Sequence, residues 1–126
     1  MCSSDLVDWA LARQSRTSGA FVIHTVPPYR NSFLTACMLE GVADAWRVAK
    51  EIGDSDRAAE YRDAWQRGVT FIERLVVRPG DQFFGPNGTR AVGGVRPTLV
   101  SSRLRIDYAG HALYALAKGL NAMGTD

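Results

Sequence analysis

Lysine is nearly missing from this chain. Of 15 basic residues only Lys50 and Lys118 are lysines, and the rest are arginine. Arginine suits bidentate recognition of carboxylate or phosphate, although GC-rich coding gives the same excess. Charge of one sign is also lacking: the net charge is +2. Phosphate binding shows as a basic stripe rather than a slight excess, so a nucleic-acid partner is not expected. Histidine is limited to His24 and His111, and cysteine to Cys2 and Cys37. These do not cluster with recognised ligand spacing, so neither a metal nor a cofactor is expected. No apolar run approaches the roughly 20 residues of a membrane span, which removes a membrane partner. Gly93-Gly94 lacks the fuller glycine pattern and the Lys-Ser/Thr of a phosphate loop.

What is present suits one domain. A length of 126 residues leaves no room for separate cofactor and substrate lobes. With 46% hydrophobic and 22% charged residues, the chain has the composition of a globular protein rather than a disordered one.

Hydrophobic spacing predicts helices. Over residues 31–52, Leu34, Met38, Leu39, Val42, Ala45, Trp46, Ala49 and Ile52 recur at three and four, making one continuous face. Gly53 is placed to stop this helix, and Asp54 or Ser55 to cap the next. That second helix is predicted over residues 55–77, with Ala58, Tyr61, Trp65, Gly68, Ile72 and Leu75 on one face, ended by Pro79-Gly80. Joined by so short a turn, the two should pack as an antiparallel hairpin. Residues 79–106 are broken by glycine and proline, and Gly85-Pro86-Asn87-Gly88 predicts a small β-hairpin. A loop this long is usually functional or a cover. A last helix is predicted from Asp107, its cap, with Ala109, Ala112, Leu113, Leu116 and Leu120 on its inner face. Residues 7–14 read as the end of a helix, and 19–26 as an extended or loop segment before Pro27-Pro28. Trp9, Trp46 and Trp65 all read as helix core.

Residues 1–6 are polar, do not lead into a helical pattern, and resemble the in-frame translation of a sequencing adapter, a contaminant at the edges of metagenomic reads. On that reading the protein proper begins near Val7, truncated upstream, and Cys37 is the one native thiol, buried and inert.

Three groups could carry chemistry. Arg105, Asp107, Tyr108 and His111 form the sharpest, with Asp107 and His111 at i, i+4 on one helix side, where the acid can orient the imidazole. Arg105 could bind a sugar carboxylate or hold Asp107 ionised. The plainer alternative is that Asp107 caps the helix, Arg105 pairs with it and His111 is packed. In the second group Tyr29 and Arg30, after His24 and the rigid Pro27-Pro28, could stack on a sugar and hydrogen-bond its hydroxyls, or Tyr29 could staple the helix start. Third, Glu40 lies in an apolar stretch, where a buried acid can act as proton donor, or pair with an arginine, or face solvent. Hydrolysis of a glycosidic bond asks for two carboxylates. Glu40, Asp81 and Asp107 are candidates without a marking spacing.

The runs Phe33-Leu34-Thr35-Ala36 and Leu39-Glu40-Gly41-Val42-Ala43-Asp44-Ala45 resemble the helical hairpins of α/α-toroid proteins, the six-hairpin glycosidase-like group. So does the passage from Ala49 through Gly53-Asp54 to Arg57-Ala58 and Tyr61. Gly93-Gly94-Val95-Arg96 and Arg105-Ile106-Asp107-Tyr108, leading to His111, resemble the rim loop and closing helix of such chains. The resemblance spans residues 13–120 and is shared among sugar hydrolases, sugar epimerases and terpenoid-cyclase-like toroids; the acidic protonating motif of the last is not in this sequence. It implies a mainly α fold of antiparallel hairpins, the C-terminal part of a ring whose hairpins bury each other's faces. It also implies a carbohydrate or other small-molecule substrate, rim loops at residues 19–30 and 79–105, and packing against an upstream part of the same chain. Within this frame Asp107, His111 and Glu40 are the expected catalytic residues, and Arg105, Tyr29, Arg30 and Arg96 the expected substrate contacts. The fragment alone is expected to be inactive. The competing expectation is a non-catalytic helical scaffold or interaction module with an exposed apolar face.

Overall fold

Asn31 begins the structure's central element. In the computed structural model, which describes residues 3–23, 30–81, 88–101 and 103–124, its side chain accepts the Leu34 N–H at 2.7 Å and so caps α2 (Ser32–Glu51). Gly53, at φ +77°, supplies the left-handed turn that ends this helix. Asp54 Oδ1 then accepts the Arg57 N–H at 3.1 Å and caps α3 (Ser55–Glu73). Before this hairpin lies α1 (Ser3–Leu11); after it come the single turn α4 (Gly88–Ala91) and α5 (Ile106–Gly124). The chain is therefore mainly helical, built on a helical hairpin, and among the described residues its β pairing is limited to two isolated bridges. None of the described helices is long and apolar enough to cross a membrane.

The side-chain pairs between α2 and α5 give their relative direction. Phe33 meets Tyr108, Glu40 meets His111, Asp44 meets Lys118, and Lys50 Nζ donates to the Ala122 carbonyl at 2.7 Å. Both numbers rise together, so α5 runs parallel to α2, while α3 returns antiparallel between them in sequence. The long connection from α3 to α5 thus lies at the end of the molecule where α2 begins. The Ser32 N–H donates to the Pro97 carbonyl at 2.8 Å and pins the loop there.

Several expectations shift. Residues 3–6 belong to α1 rather than standing outside a helical pattern. The second helix of the hairpin stops at Glu73, four residues early, because Leu75, Val76 and Val77 pair extended with residues 93–96: the Val77 N–H donates to the Gly94 carbonyl, the Gly93 N–H to Val77 and the Arg96 N–H to Leu75. β-branched Val76 and Val77 favour this exchange of helix for ladder. The hairpin expected around Gly85-Pro86-Asn87-Gly88 falls on residues 82–87, outside the described ones. Trp9 is exposed, with the Arg13 guanidinium 3.8 Å from its ring centre, whereas Trp46 and Trp65 are core. Ile52, expected on the inner face of α2, is exposed.

The largest difference concerns α5, which buries Ala112, Ala115, Gly119 and Ala122 and leaves Leu113 and Leu120 outside. Small residues let the Trp65 indole lie directly on the α5 backbone, where its Nε1–H donates to the Ala115 carbonyl at 2.9 Å. A Cβ at Gly119 would overlap that indole ring. A bulky Leu face could not come so close.

The first loop is tied down by a buried amide. Gln14 Nε2 donates to the carbonyls of Gly19 (3.0 Å) and Ala64 (2.7 Å), while its Oε1 accepts from Arg67 at 3.0 Å. One side chain thus joins the α1 loop to the middle of α3.

Candidate functional site

Helical spacing puts Cys37 and Glu40 one turn apart on α2, facing α5. His111 comes from α5, and its Nδ1 lies 2.6 Å from Glu40 Oε1. The side chains are 37% exposed for His111 and 21% for Glu40, so the pair is partly shielded yet open on one side. A short contact between imidazole and carboxylate fixes the ring's orientation and strengthens as water is excluded. Phe33 stands edge-on to His111, their ring centres 5.0 Å apart. The Cys37 sulfur completes the cluster: one ligand-capable atom from each of Cys37, Glu40 and His111 lies within 4.8 Å of the other two.

Burial raises the Cys37 thiol above its ordinary value of 9.0, and the negative charge of Glu40 adds to the rise. A raised value in the folded chain stabilises the protonated thiol. This contribution is present below the unfolded thiol's pKa and is lost as pH rises through the folded one. In a Cys2→Ser background, the rate of iodoacetamide alkylation should therefore climb through a midpoint above that of a free thiol. Glu40→Gln should move the midpoint down only part of the way, since burial remains; an unmoved midpoint would remove Glu40 from the thiol's field.

Beside the cluster lies a hollow of about 280 Å³ lined by Asn31, Phe33, Pro97, Arg105, Asp107 and Tyr108. Phe33 touches both His111 and Tyr108 and so joins the hollow to the pair. Arg105 grips Asp107 with two parallel bonds, Nε to Oδ1 at 3.0 Å and Nη2 to Oδ2 at 2.9 Å. This bidentate pairing raises the proton affinity of Arg105 further, so it stays a cation. Its guanidinium also lies 5.4 Å from the Tyr108 ring centre. The wall thus combines aromatic faces with a fork of donors and acceptors. A larger open depression of about 760 Å³ lies around Gly53, Arg62 and Gln66. Its charged groups, Lys50 and Arg62, are both cations, so no acid–base pair forms there.

The structure redistributes the residues singled out by sequence. Asp107 does not orient His111 across i, i+4; it is occupied by Arg105, and Glu40 takes the place beside the imidazole. Nor does Asp107 sit at the cap position, since α5 begins one residue earlier at Ile106. Arg96 is turned away from the hollow: it is 9% exposed and donates to the Leu99 and Arg74 carbonyls, holding the loop to the end of α3. Arg30 is exposed just before the Asn31 cap and does not line the hollow. Tyr29 and His24 lie outside the described residues. Asp81 accepts the Arg78 N–H at 2.9 Å, closing a turn in the loop. Sequence reasoning missed Phe33, Asn31 and Pro97 as wall residues. It also missed Cys37 as a neighbour of Glu40, although their i, i+3 spacing was the available signal.

Compared with known protein families, with curated proteins and with solved structures, the chain has no significant match.

Proposed function

We propose that the chain is part of an α/α-toroid carbohydrate-processing protein, in which the hollow takes a sugar ring and the Glu40–His111 pair moves a proton. The observation that carries this reading is the 2.6 Å contact of Glu40 with His111 beside an aromatic-walled hollow. Aromatic faces such as Phe33 and Tyr108 suit the apolar face of a sugar ring, and the Arg105–Asp107 fork suits its hydroxyls. The course of the helices supports the architecture: hairpins that alternate inward and outward around a ring make every second helix parallel, as α2 and α5 are.

Within carbohydrate chemistry, the pair favours epimerisation over hydrolysis. With Nδ1–H donating to Glu40, Nε2 of His111 carries the lone pair of a general base, and the carboxylate orients it. That suits removal of a proton next to a carbonyl. Hydrolysis asks for two carboxylates flanking one bond, and Asp107, the other acid near the hollow, is committed to Arg105.

Binding of reducing sugars to the full chain, followed by NMR, tests the reading. Saturable shifts at Tyr108 and Phe33 are expected, weakened at least about tenfold in Arg105→Ala by loss of its charge-assisted contacts. Absence of saturable binding by the folded chain would overturn it.

One observation favours a second reading, a scaffold or interaction module. Ile106, Leu113, Tyr114 and Leu120 form an exposed stripe along α5, three of them more than 60% exposed and Leu120 at 60%. In a toroid a neighbouring hairpin covers this stripe; in a module a separate protein does. A protein partner that protects these residues, together with no affinity for sugars, would favour the module.

A further inference from the structure

We propose that Cys37, Glu40 and His111 form a binding site for a single divalent cation of borderline softness, with Zn²⁺ as the type. The inference does not rest on the carbohydrate reading, since cation binding is measured with no sugar present.

Sulfur, imidazole nitrogen and carboxylate oxygen are the three donor types that Zn²⁺ combines in four-coordinate sites. Here one of each is present, and all three lie within 4.8 Å of one another. Around a tetrahedral Zn²⁺ such donors stand about 3.3–3.6 Å apart, from metal–ligand distances of roughly 2.0–2.3 Å. The structure approaches that triangle from both sides. His111 and Glu40 are closer than this, at 2.6 Å, and the cluster's outer limit is wider. The separations differ from that triangle by about 1 Å at most, a distance on the scale of side-chain adjustment. A shared proton accounts for the contact between His111 and Glu40, but gives the sulfur no role; a cation employs all three.

The surroundings fit as well. Cys37 and Glu40 are fixed on one face of α2 by i, i+3 spacing, and His111 is held opposite them by the packing of α5, whose Ala115 carbonyl accepts the buried Trp65 Nε1–H at 2.9 Å. Partial exposure of His111 leaves a side open for a fourth ligand such as water. Charge balances too. The thiolate and the carboxylate together carry two negative charges against the two positive charges of the ion. Binding releases the thiol proton, and the cation takes the place of the His111–Glu40 contact by engaging a ring nitrogen of His111.

Cobalt is the spectroscopic probe. The full 126-residue chain carrying Cys2→Ser is freed of metal with a chelator and titrated with Co²⁺, then with Zn²⁺. One equivalent of Co²⁺ should produce a thiolate-to-cobalt band in the near ultraviolet and visible bands of four-coordinate cobalt, both lost as Zn²⁺ displaces it. Cys37→Ser should abolish the near-ultraviolet band. His111→Ala should weaken Co²⁺ at least about tenfold, the lower end of what groups outside the ligand set already contribute. Circular dichroism of each variant checks folding, and Glu40→Gln, which changes almost no volume, gives a second test of affinity should His111→Ala unfold. A folded parent protein that shows no thiolate-to-cobalt band, or a Cys37→Ser variant that keeps it, would overturn the proposal.

Discussion

Trp65→Ala is expected to destabilise the chain by about 3–5 kcal/mol, the range found for deleting a buried tryptophan. Its indole is 4% exposed, lies against Trp46 with ring centres 5.8 Å apart, and donates to the Ala115 carbonyl. The notch that receives it is the backbone of α5 at Gly119, where no side chain stands in the way. Truncation therefore leaves a cavity bounded by α2, α3 and α5 that backbone elements cannot close by rotating a side chain. Urea unfolding followed by circular dichroism would read the change as a lower midpoint at unchanged slope. A loss below about 1 kcal/mol, far under the usual range for such a truncation, would show that α5 is anchored elsewhere.

Gly19→Ala is expected to cost about 2–5 kcal/mol, from two sources that add. Gly19 has φ +81°, a left-handed conformation that costs an L-residue roughly 1–2 kcal/mol. An added Cβ would also overlap the Arg67 carbonyl in the middle of α3, and relief of such crowding costs about 1–3 kcal/mol. The obstacle is helix backbone, so the loop itself must lift, taking with it the Gln14 bonds to Gly19 and Ala64. Gly53→Ala is the control, because Gly53 has φ +77° with nothing within 4 Å of the new Cβ. Only the conformational part, about 1–2 kcal/mol, should be lost there. Equal losses at the two glycines, measured by thermal unfolding, would mean that the first loop is not clamped to α3.

Local signals were legible in the sequence, and pairings across the chain were not. Gly53 and Asp54 announced the hairpin because caps and left-handed turns depend on the residue itself and its next few neighbours. Tyr61, Trp65, Gly68 and Ile72 announced the buried face of α3 by spacing alone. The same spacing misled for α5, where Leu113 and Leu120 outweighed alanine and glycine in any reading by hydrophobicity. What decides there is the size of the partner: a tryptophan from α3 selects the face with least side chain. For the candidate site, Glu40, His111, Arg105 and Asp107 were each picked out, and the pairing of Arg105 with Asp107 was among the readings, but that of Glu40 with His111 was not. Glu40 and His111 are 71 positions apart, and no periodicity connects residues at that distance. Asp107, one helical turn from His111, was the natural partner on local grounds; a neighbouring arginine two residues away took it instead.

The parallel course of α2 and α5 has an electrostatic consequence. Peptide dipoles of antiparallel neighbours cancel, as those of α2 and α3 do, whereas those of α2 and α5 add. Each helix carries roughly half a positive charge at its start and half a negative charge at its end. The end with Asn31 and the first turn of α5 is thus the positive end of both, where the carboxylate of Asp107 is favoured. The opposite end gathers the carbonyls of both final turns. There the ammonium of Lys50, in the last turn of α2, reaches the Ala122 carbonyl in the last turn of α5, one cation answering two helix ends.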